Sequence, residues 1–224
     1  MIATWHGHAC WSIEGGGAHL LIDPFLTGNP MADVGPEEVD PGYILVSHAH
    51  GDHFGDTLAI GERTGATVIS NFEIAQYCEG KGLQAHALHV GGGHEFSFGR
   101  VKLTPALHGS TFPDGAPGGN PCGFLLEIEE RRIYDAADTG LTRDMELLAE
   151  EGPVDLAILP IGDNYTMGPD DALRAVAMIK PKVVIPMHYS TFDLIEQDAG
   201  AFAERVESAG FRCMVLEAGE SLAL

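Results

Sequence analysis

Between Ser47 and His53 the chain reads Ser-His-Ala-His-Gly-Asp-His, with three imidazoles and a carboxylate directly after the apolar run Tyr43-Ile44-Leu45-Val46. A short apolar run of this kind predicts a buried strand, so the histidines sit where a strand ends and the chain turns. Side chains alternate along extended backbone, which points His48 and His50 to the same side and lets them grip one ion together. Gly51 lets the backbone turn, and Asp52 and His53 can then aim at a second ion nearby. Neutral imidazole and carboxylate suit zinc, manganese or iron, and the ligand types do not choose among them. Four side chains cannot close two coordination spheres, so the fold has to bring further ligands to this strand end.

The rest of the chain is a succession of short elements. Residues 1–5, 9–14 and 18–23 read as strands, with Gly15-Gly16-Gly17 as the turn between the last two. A strand at 43–47 leads into the histidine cluster, followed by a helix over 55–63, a strand at 67–70, and a helix to residue 81 capped by Asn71 with Glu73 in its first turn. Residues 95–98 and 100–107 form one hairpin; 123–128 and 131–134 form another, turned at Glu129-Glu130. Helices are expected at 143–150, at 170–179 (started by Pro169) and at 199–209, and strands at 154–159, 183–187 and 211–216. Two β-meanders, each followed by strand–helix alternation, predict two sheets packed face to face with helices outside. A length of 224 residues is ample for one core and short for two. No repeat or linker divides the chain, so residues 1–224 are expected to form a single domain.

Charge narrows the partners. The net charge is −21, from 33 acidic and 12 basic residues, of which only four are lysines. A grip on nucleic-acid phosphates needs Lys/Arg patches; none is visible, which argues against a nucleic-acid partner and leaves a small molecule as the expected substrate. The low lysine content fits adaptation to salt and equally fits a generally acidic protein. No apolar run approaches the ~20 residues of a membrane span. The N-terminus shows no basic region followed by a cleavable apolar stretch, so a cytoplasmic location is expected. Cys10, Cys78, Cys122 and Cys213 are scattered without a CxxC pair and read as small buried hydrophobes. Oligomeric state is left open, a homo-oligomer included.

The HxHxDH pattern after an apolar strand resembles the signature of the metallo-β-lactamase-fold hydrolase superfamily. That resemblance implies an α/β four-layer αββα sandwich with metals at one edge. It also implies the remaining ligands: His108 after residues 101–107 for the first ion with His48 and His50, His188 after residues 183–187 for the second with Asp52 and His53, and Asp138 bridging both. Trp5-His6-Gly7-His8-Ala9-Cys10, Leu21-Ile22-Asp23-Pro24, residues 160–167 and residues 187–192 are similar to a widespread microbial group known only as metal-dependent hydrolases. That group is itself similar to ascorbate-6-phosphate lactonase and to phospholipase-D-like phosphodiesterases.

The resemblance implies two divalent ions per chain, zinc first and manganese or iron as alternatives, and attack by hydroxide on a small phosphodiester, lactone or ester. Asp52 would also accept a hydrogen bond from that hydroxide. His8 is a candidate to protonate the leaving group, or else a structural histidine pinning its strand end. Asn164, Tyr165 and Tyr189 are candidates for substrate contact, and Asp23 for orienting a metal-bound histidine. The pattern of the group leads to histidine where Asp135 stands, and this extra carboxylate either alters the surroundings of the ligands or faces solvent. A non-catalytic, metal-stabilised binding protein is the alternative. It fits poorly, because structural zinc sites are usually single-metal, closed and rich in cysteine.

Overall fold

The computed structural model describes residues 1–224. The strands are β1 (Ile2–Trp5), β2 (Trp11–Gly15), β3 (Ala18–Ile22), β4 (Tyr43–Leu45), β5 (Thr67–Asn71), β6 (Ala85–Leu88), β7 (Gly93–Phe96), β8 (Gly99–Pro105), β9 (Cys122–Ile128), β10 (Arg131–Asp135), β11 (Leu156–Pro160), β12 (Val183–Met187) and β13 (Ser221–Ala223). The helices are α1 (Gly51–Phe54), α2 (Thr57–Thr64), α3 (Phe72–Gly80), α4 (Met145–Glu150), α5 (Pro169–Ile179) and α6 (Ala199–Ser208). One sheet runs β13-β1-β2-β3-β4-β5-β6 and the other β12-β11-β10-β9-β8-β7. Each sheet joins an antiparallel meander to parallel strands, as the alternation in the sequence predicts.

Apolar side chains from both sheets meet in one cluster that includes Trp5, Trp11, Ile13, Phe124, Ile133 and Ile158, with Val176 and Phe202 packing on it from α5 and α6. A smaller cluster, with Ile44, Val68, Ile60 and Ile74, sits beneath α2 and α3. These contacts give the α/β sandwich its layers. The β2–β3 turn shows why it is built of glycine. Gly16 has φ +59°, and a Cβ there would lie 2.2 Å from the Phe98 carbonyl oxygen. The Asn71 side chain accepts from the Ile74 N–H at 2.9 Å and caps α3, and Pro169 opens α5.

Three elements depart from expectation. Residues 211–216 are not a strand: they touch β12 through a single bridge, Val184 with Cys213, while Cys213 and Leu216 turn into the core. The last strand is β13, which pairs antiparallel with β1. Its Ser-Leu-Ala sequence carries no signal of its own, and the pairing is supplied by the free edge of β1. β6 is likewise recruited by an edge, pairing parallel to β5 although it buries none of its residues. α1 is one short turn, formed where the chain bends inside the histidine motif.

Candidate metal centre

Strand direction collects the chemistry at one edge. β1, β3 and β4 run the same way in the first sheet, as do β8, β10, β11 and β12 in the second. His8 follows β1, Asp23 follows β3 and residues 48–53 follow β4; His108 follows β8, Asp138 follows β10, Tyr165 lies beyond β11 and His188 follows β12. Every residue selected from the sequence therefore leaves the carboxyl end of a co-directional strand, the place where open α/β sheets gather ligands. Several do so in left-handed backbone: His8 at φ 55°, Asp23 at 43°, Ala137 at 50° and His188 at 54°. Such conformations cost non-glycine residues about 1–3 kcal/mol and persist where the surroundings over-determine them, often at functional sites.

Two donor sets converge there. His48 Nε2 lies 3.0 Å from His50 Nδ1, and His108 Nε2 lies 3.2 Å from the same Nδ1. Ligands held at 2.0–2.1 Å around a tetrahedral ion are separated by about 3.3 Å, so this triangle has the size of a coordination face. The second set gathers Asp52, His53 and His188, with His8 beside them. Asp138 touches both sets: its Oδ2 is 3.4 Å from His108 Nε2 and 3.0 Å from His188 Nε2, and its Oδ1 is 3.3 Å from His53 Nε2. These approaches are close but poorly aligned, so His53 Nε2, Asp138 Oδ1 and both ring nitrogens of His188 have no hydrogen-bond partner although they are buried. Buried polar atoms are normally satisfied. Ring nitrogens and a carboxylate gathered this closely, with hydrogen-bonding capacity unspent, form a donor set that fits cations.

The comparisons with known proteins agree with that chemistry. The family description "Beta-lactamase superfamily domain" matches residues 3–188. The chain belongs to the beta-lactamase superfamily. Within it, the chain is 50% identical to a UPF0173 metal-dependent hydrolase of Heliobacterium modesticaldum, over 99% of this chain and 96% of that protein. It is 51% identical to another from Pelotomaculum thermopropionicum, over the full length of both. Among solved structures, a metallo hydrolase from the hyperthermophilic archaeon Ignicoccus hospitalis superposes with a TM-score of 0.91 at 36% identity, covering 99% of this chain and 97% of that one.

Behind the donors, this superfamily member has a second layer that fixes ring orientation. Asp23 Oδ2 lies 2.7 Å from His53 Nδ1 and accepts from Ser47 Oγ at 2.5 Å, while Asp23 Oδ1 accepts the Ser47 N–H at 2.7 Å. Ser47 Oγ lies 2.9 Å from His48 Nδ1. One buried carboxylate thus turns the Nε2 atoms of two histidines toward the centre. Ser47 was not singled out in the sequence, although it opens the motif. Thr191 was missed as well; it reaches His8 Nδ1 at 2.8 Å from the segment after β12.

His8 Nε2 stands 3.2 Å from Asp52 Oδ2. An ionised carboxylate only accepts, so Nε2 carries the proton and Nδ1 accepts from the Thr191 hydroxyl. Burial lowers the His8 pKa to about 4, which keeps the ring neutral. Burial works against ionisation of Asp52, but the hydrogen bond from His8 and the field of His53 outweigh it and hold Asp52 below the usual carboxylate range. Burial also opposes a charge on His53, yet Asp138 and Asp23 on either side of the ring raise its pKa above the usual histidine range.

A cleft of about 230 Å³ opens onto the centre, lined by His50, Asp52, His108, Asp138, Tyr165 and His188. Tyr165 stands at its mouth, 54% exposed. His8 lies behind Asp52, buried among Phe25, Phe192 and His188, and does not line the cleft. Asn164 is exposed beside Tyr165, whereas Tyr189 is buried and stacks on Trp5 at 5.7 Å. Asp135 does not face solvent. It is buried beneath the centre, where desolvation and then Asp23 raise its pKa to about 8. All four cysteines are free and buried, and none lines the cleft.

At the junction of β11 and β12, a Cβ on Gly162 would lie 2.3 Å from the His188 carbonyl oxygen. Glycine here lets the two strand ends close on the site. No helix is long and apolar enough to cross a membrane.

Proposed function

We propose that this protein is a binuclear metal-dependent hydrolase of small phosphodiesters, lactones or esters. The observation that carries the reading is the set of buried, unpartnered donor atoms on His53, Asp138 and His188, facing the ring-nitrogen triangle of His48, His50 and His108 across one shared carboxylate. In this reading His48 Nε2, His50 Nδ1 and His108 Nε2 would hold one divalent ion. Asp52, His53 Nε2 and His188 would hold the other, and Asp138, which approaches both sets, would serve both. When bound, such a pair supplies a water deprotonated near neutral pH and polarises the oxygen of the group under attack.

The chain's own residues do the rest. Asp52, held ionised by His8, accepts a hydrogen bond from the attacking water and positions it. Asp23 and Ser47 hold His53 and His48 in the orientation that binding requires. Tyr165, which lines the cleft and is exposed at its mouth, contacts the substrate in this reading. His8 does not reach the cleft, so it acts on the leaving group only through Asp52. Water added across the scissile bond leaves an acid and an alcohol.

Elemental analysis of protein purified without added metal, followed by reconstitution with zinc or manganese and assays on phosphodiester and lactone/ester panels, tests the reading. About two ions per chain, and turnover abolished in a folded Asp52→Ala variant, are expected. Fewer than two ions with both panels silent after reconstitution would overturn it and leave a metal-stabilised binding protein.

A further inference from the structure

His108 belongs to two recesses at once. One face lines the metal cleft; another opens onto a groove of about 420 Å³, whose remaining walls are Val90, Pro105, Ala106, Leu107, Asn120 and Pro121. Five of these six residues are apolar, and the sixth carries a neutral amide. No lysine or arginine lines either recess. In a chain with 33 acidic and 12 basic residues, an anionic limb lying along this groove finds no countercharge.

The groove is held in place from both sides. The Leu107 N–H donates to Thr139 Oγ1 at 2.9 Å, and the Leu107 carbonyl accepts from the Gly140 N–H at 3.2 Å. Leu107 is therefore clamped to the loop that carries Asp138, while its side chain stays 62% exposed. On the opposite wall, the Asn71 side-chain amide donates to the carbonyls of Gly118 and Asn120 at 2.7 and 2.8 Å. The residue that caps α3 thus also pins the segment facing Leu107. An exposed leucine on a backbone fixed next to a metal-ligand candidate is a contact surface of defined position.

We propose that this groove receives an uncharged, aliphatic limb of the substrate. It rests on the hydrolase reading above and narrows it to neutral esters or lactones bearing an alkyl or acyl chain, in preference to phosphorylated sugars. The limb enters past His108 while the scissile group lies in the metal cleft.

The experiment pairs a turnover series with a binding measurement that needs neither metal nor turnover. Metal-reconstituted protein is assayed on p-nitrophenyl acetate, butyrate, hexanoate and octanoate, and on the hexanoate analogue ending in a carboxylate. kcat/KM is expected to rise roughly twofold per methylene, below the value for complete burial because the groove is open, and the carboxylated analogue to be at least about tenfold slower than the neutral hexanoate. Leu107→Glu, on an exposed side chain, is expected to flatten the neutral series. In parallel, metal-free ¹⁵N-labelled protein is titrated with hexanamide, and amide shifts are expected at Val90, Leu107 and Asn120. Esters cleaved with a flat chain-length profile, and no shifts at those residues, would overturn the groove assignment while leaving the hydrolase reading in place. Shifts at the groove with no ester cleaved while the phosphodiester panel is active would overturn the narrowing to neutral esters; silence on every panel would remove the hydrolase reading instead.

Discussion

Asp135 is the residue whose environment conflicts most with its ordinary state. Burial, reinforced by Asp23, raises its pKa to about 8, against about 3.9 in an unfolded chain. Between those values the folded metal-free protein holds a proton that the unfolded chain has released. Stability contributed by the neutral acid is therefore complete below about pH 4 and lost as pH rises toward 8, on the order of 1.4 kcal/mol per pH unit. Asp135→Asn keeps the oxygen that accepts the Ala137 N–H and never ionises. Denaturant unfolding of the metal-free proteins at pH 4, 6 and 8 should show the variant gaining on the wild type as pH rises; a constant difference would contradict the assignment. The sequence displays the extra carboxylate at 135, but its burial is decided by the β10 register and by the strands beside it.

Two predictions belong to the elements. Gly162 closes the end of β11 against His188, and an added Cβ would meet the His188 carbonyl oxygen at 2.3 Å. Gly162→Ala should lower stability by about 1–3 kcal/mol through overpacking and displace His188 with its ring. Equilibrium dialysis should then show one of two ions bound at least about tenfold more weakly, with the other unchanged.

At the opposite end of the same strands, Asp155 accepts from the Arg132 N–H at 2.9 Å, from Lys182 Nζ at 2.7 Å and from Arg131 at 3.3 Å. It ties together β10, β11 and the segment entering β12. Burial opposes its ionisation, but Lys182 and the Arg132 N–H outweigh it and lower its pKa. Its contribution is present above about pH 4 and lost as pH falls below that. The two basic side chains are about half exposed, so screening limits the loss in Asp155→Asn to about 1 kcal/mol at pH 7. Thermal melts should show that deficit at pH 7 and its progressive loss as pH falls below about 4.

At the scale of the whole molecule, metal and net charge act together. The chain carries −21, and its candidate centre adds Asp52, Asp138 and Asp23 to a region without a lysine or arginine in its lining. Divalent ions that bind only the folded state stabilise it by mass action, about 2.7 kcal/mol at a hundredfold excess over Kd. For a chain of this size that corresponds to roughly 5–10 °C in Tm. Chelation should therefore lower Tm by about that amount, with zinc or manganese restoring it; an unchanged Tm would show that the centre holds no ion in the folded protein.

The sequence by itself determined the periodicities and punctuation that set the layers: two meanders followed by strand–helix alternation, the Asn71 cap, the start of α5 at Pro169, and a dense HxHxDH motif at a strand end. These are local signals, written in side-chain spacing and backbone preference. Resemblance to a family extended them to His108, Asp138 and His188, residues that no local pattern links to residues 48–53. Only the tertiary structure brings those strand ends to one edge. The resemblance also marked Asp23 for orienting a bound histidine, but which ring it holds was decided by the fold, together with what had no local signature: Ser47 linking Asp23 to a second ring, Thr191 fixing the tautomer of His8, Tyr189 joining the core instead of the cleft, and the terminal strand forming at residues 221–223 rather than 211–216. Strand pairing and the sharing of one buried proton or carboxylate between distant segments are long-range contacts. Their energies depend on which surfaces meet, and that is settled only when the two sheets close on one another.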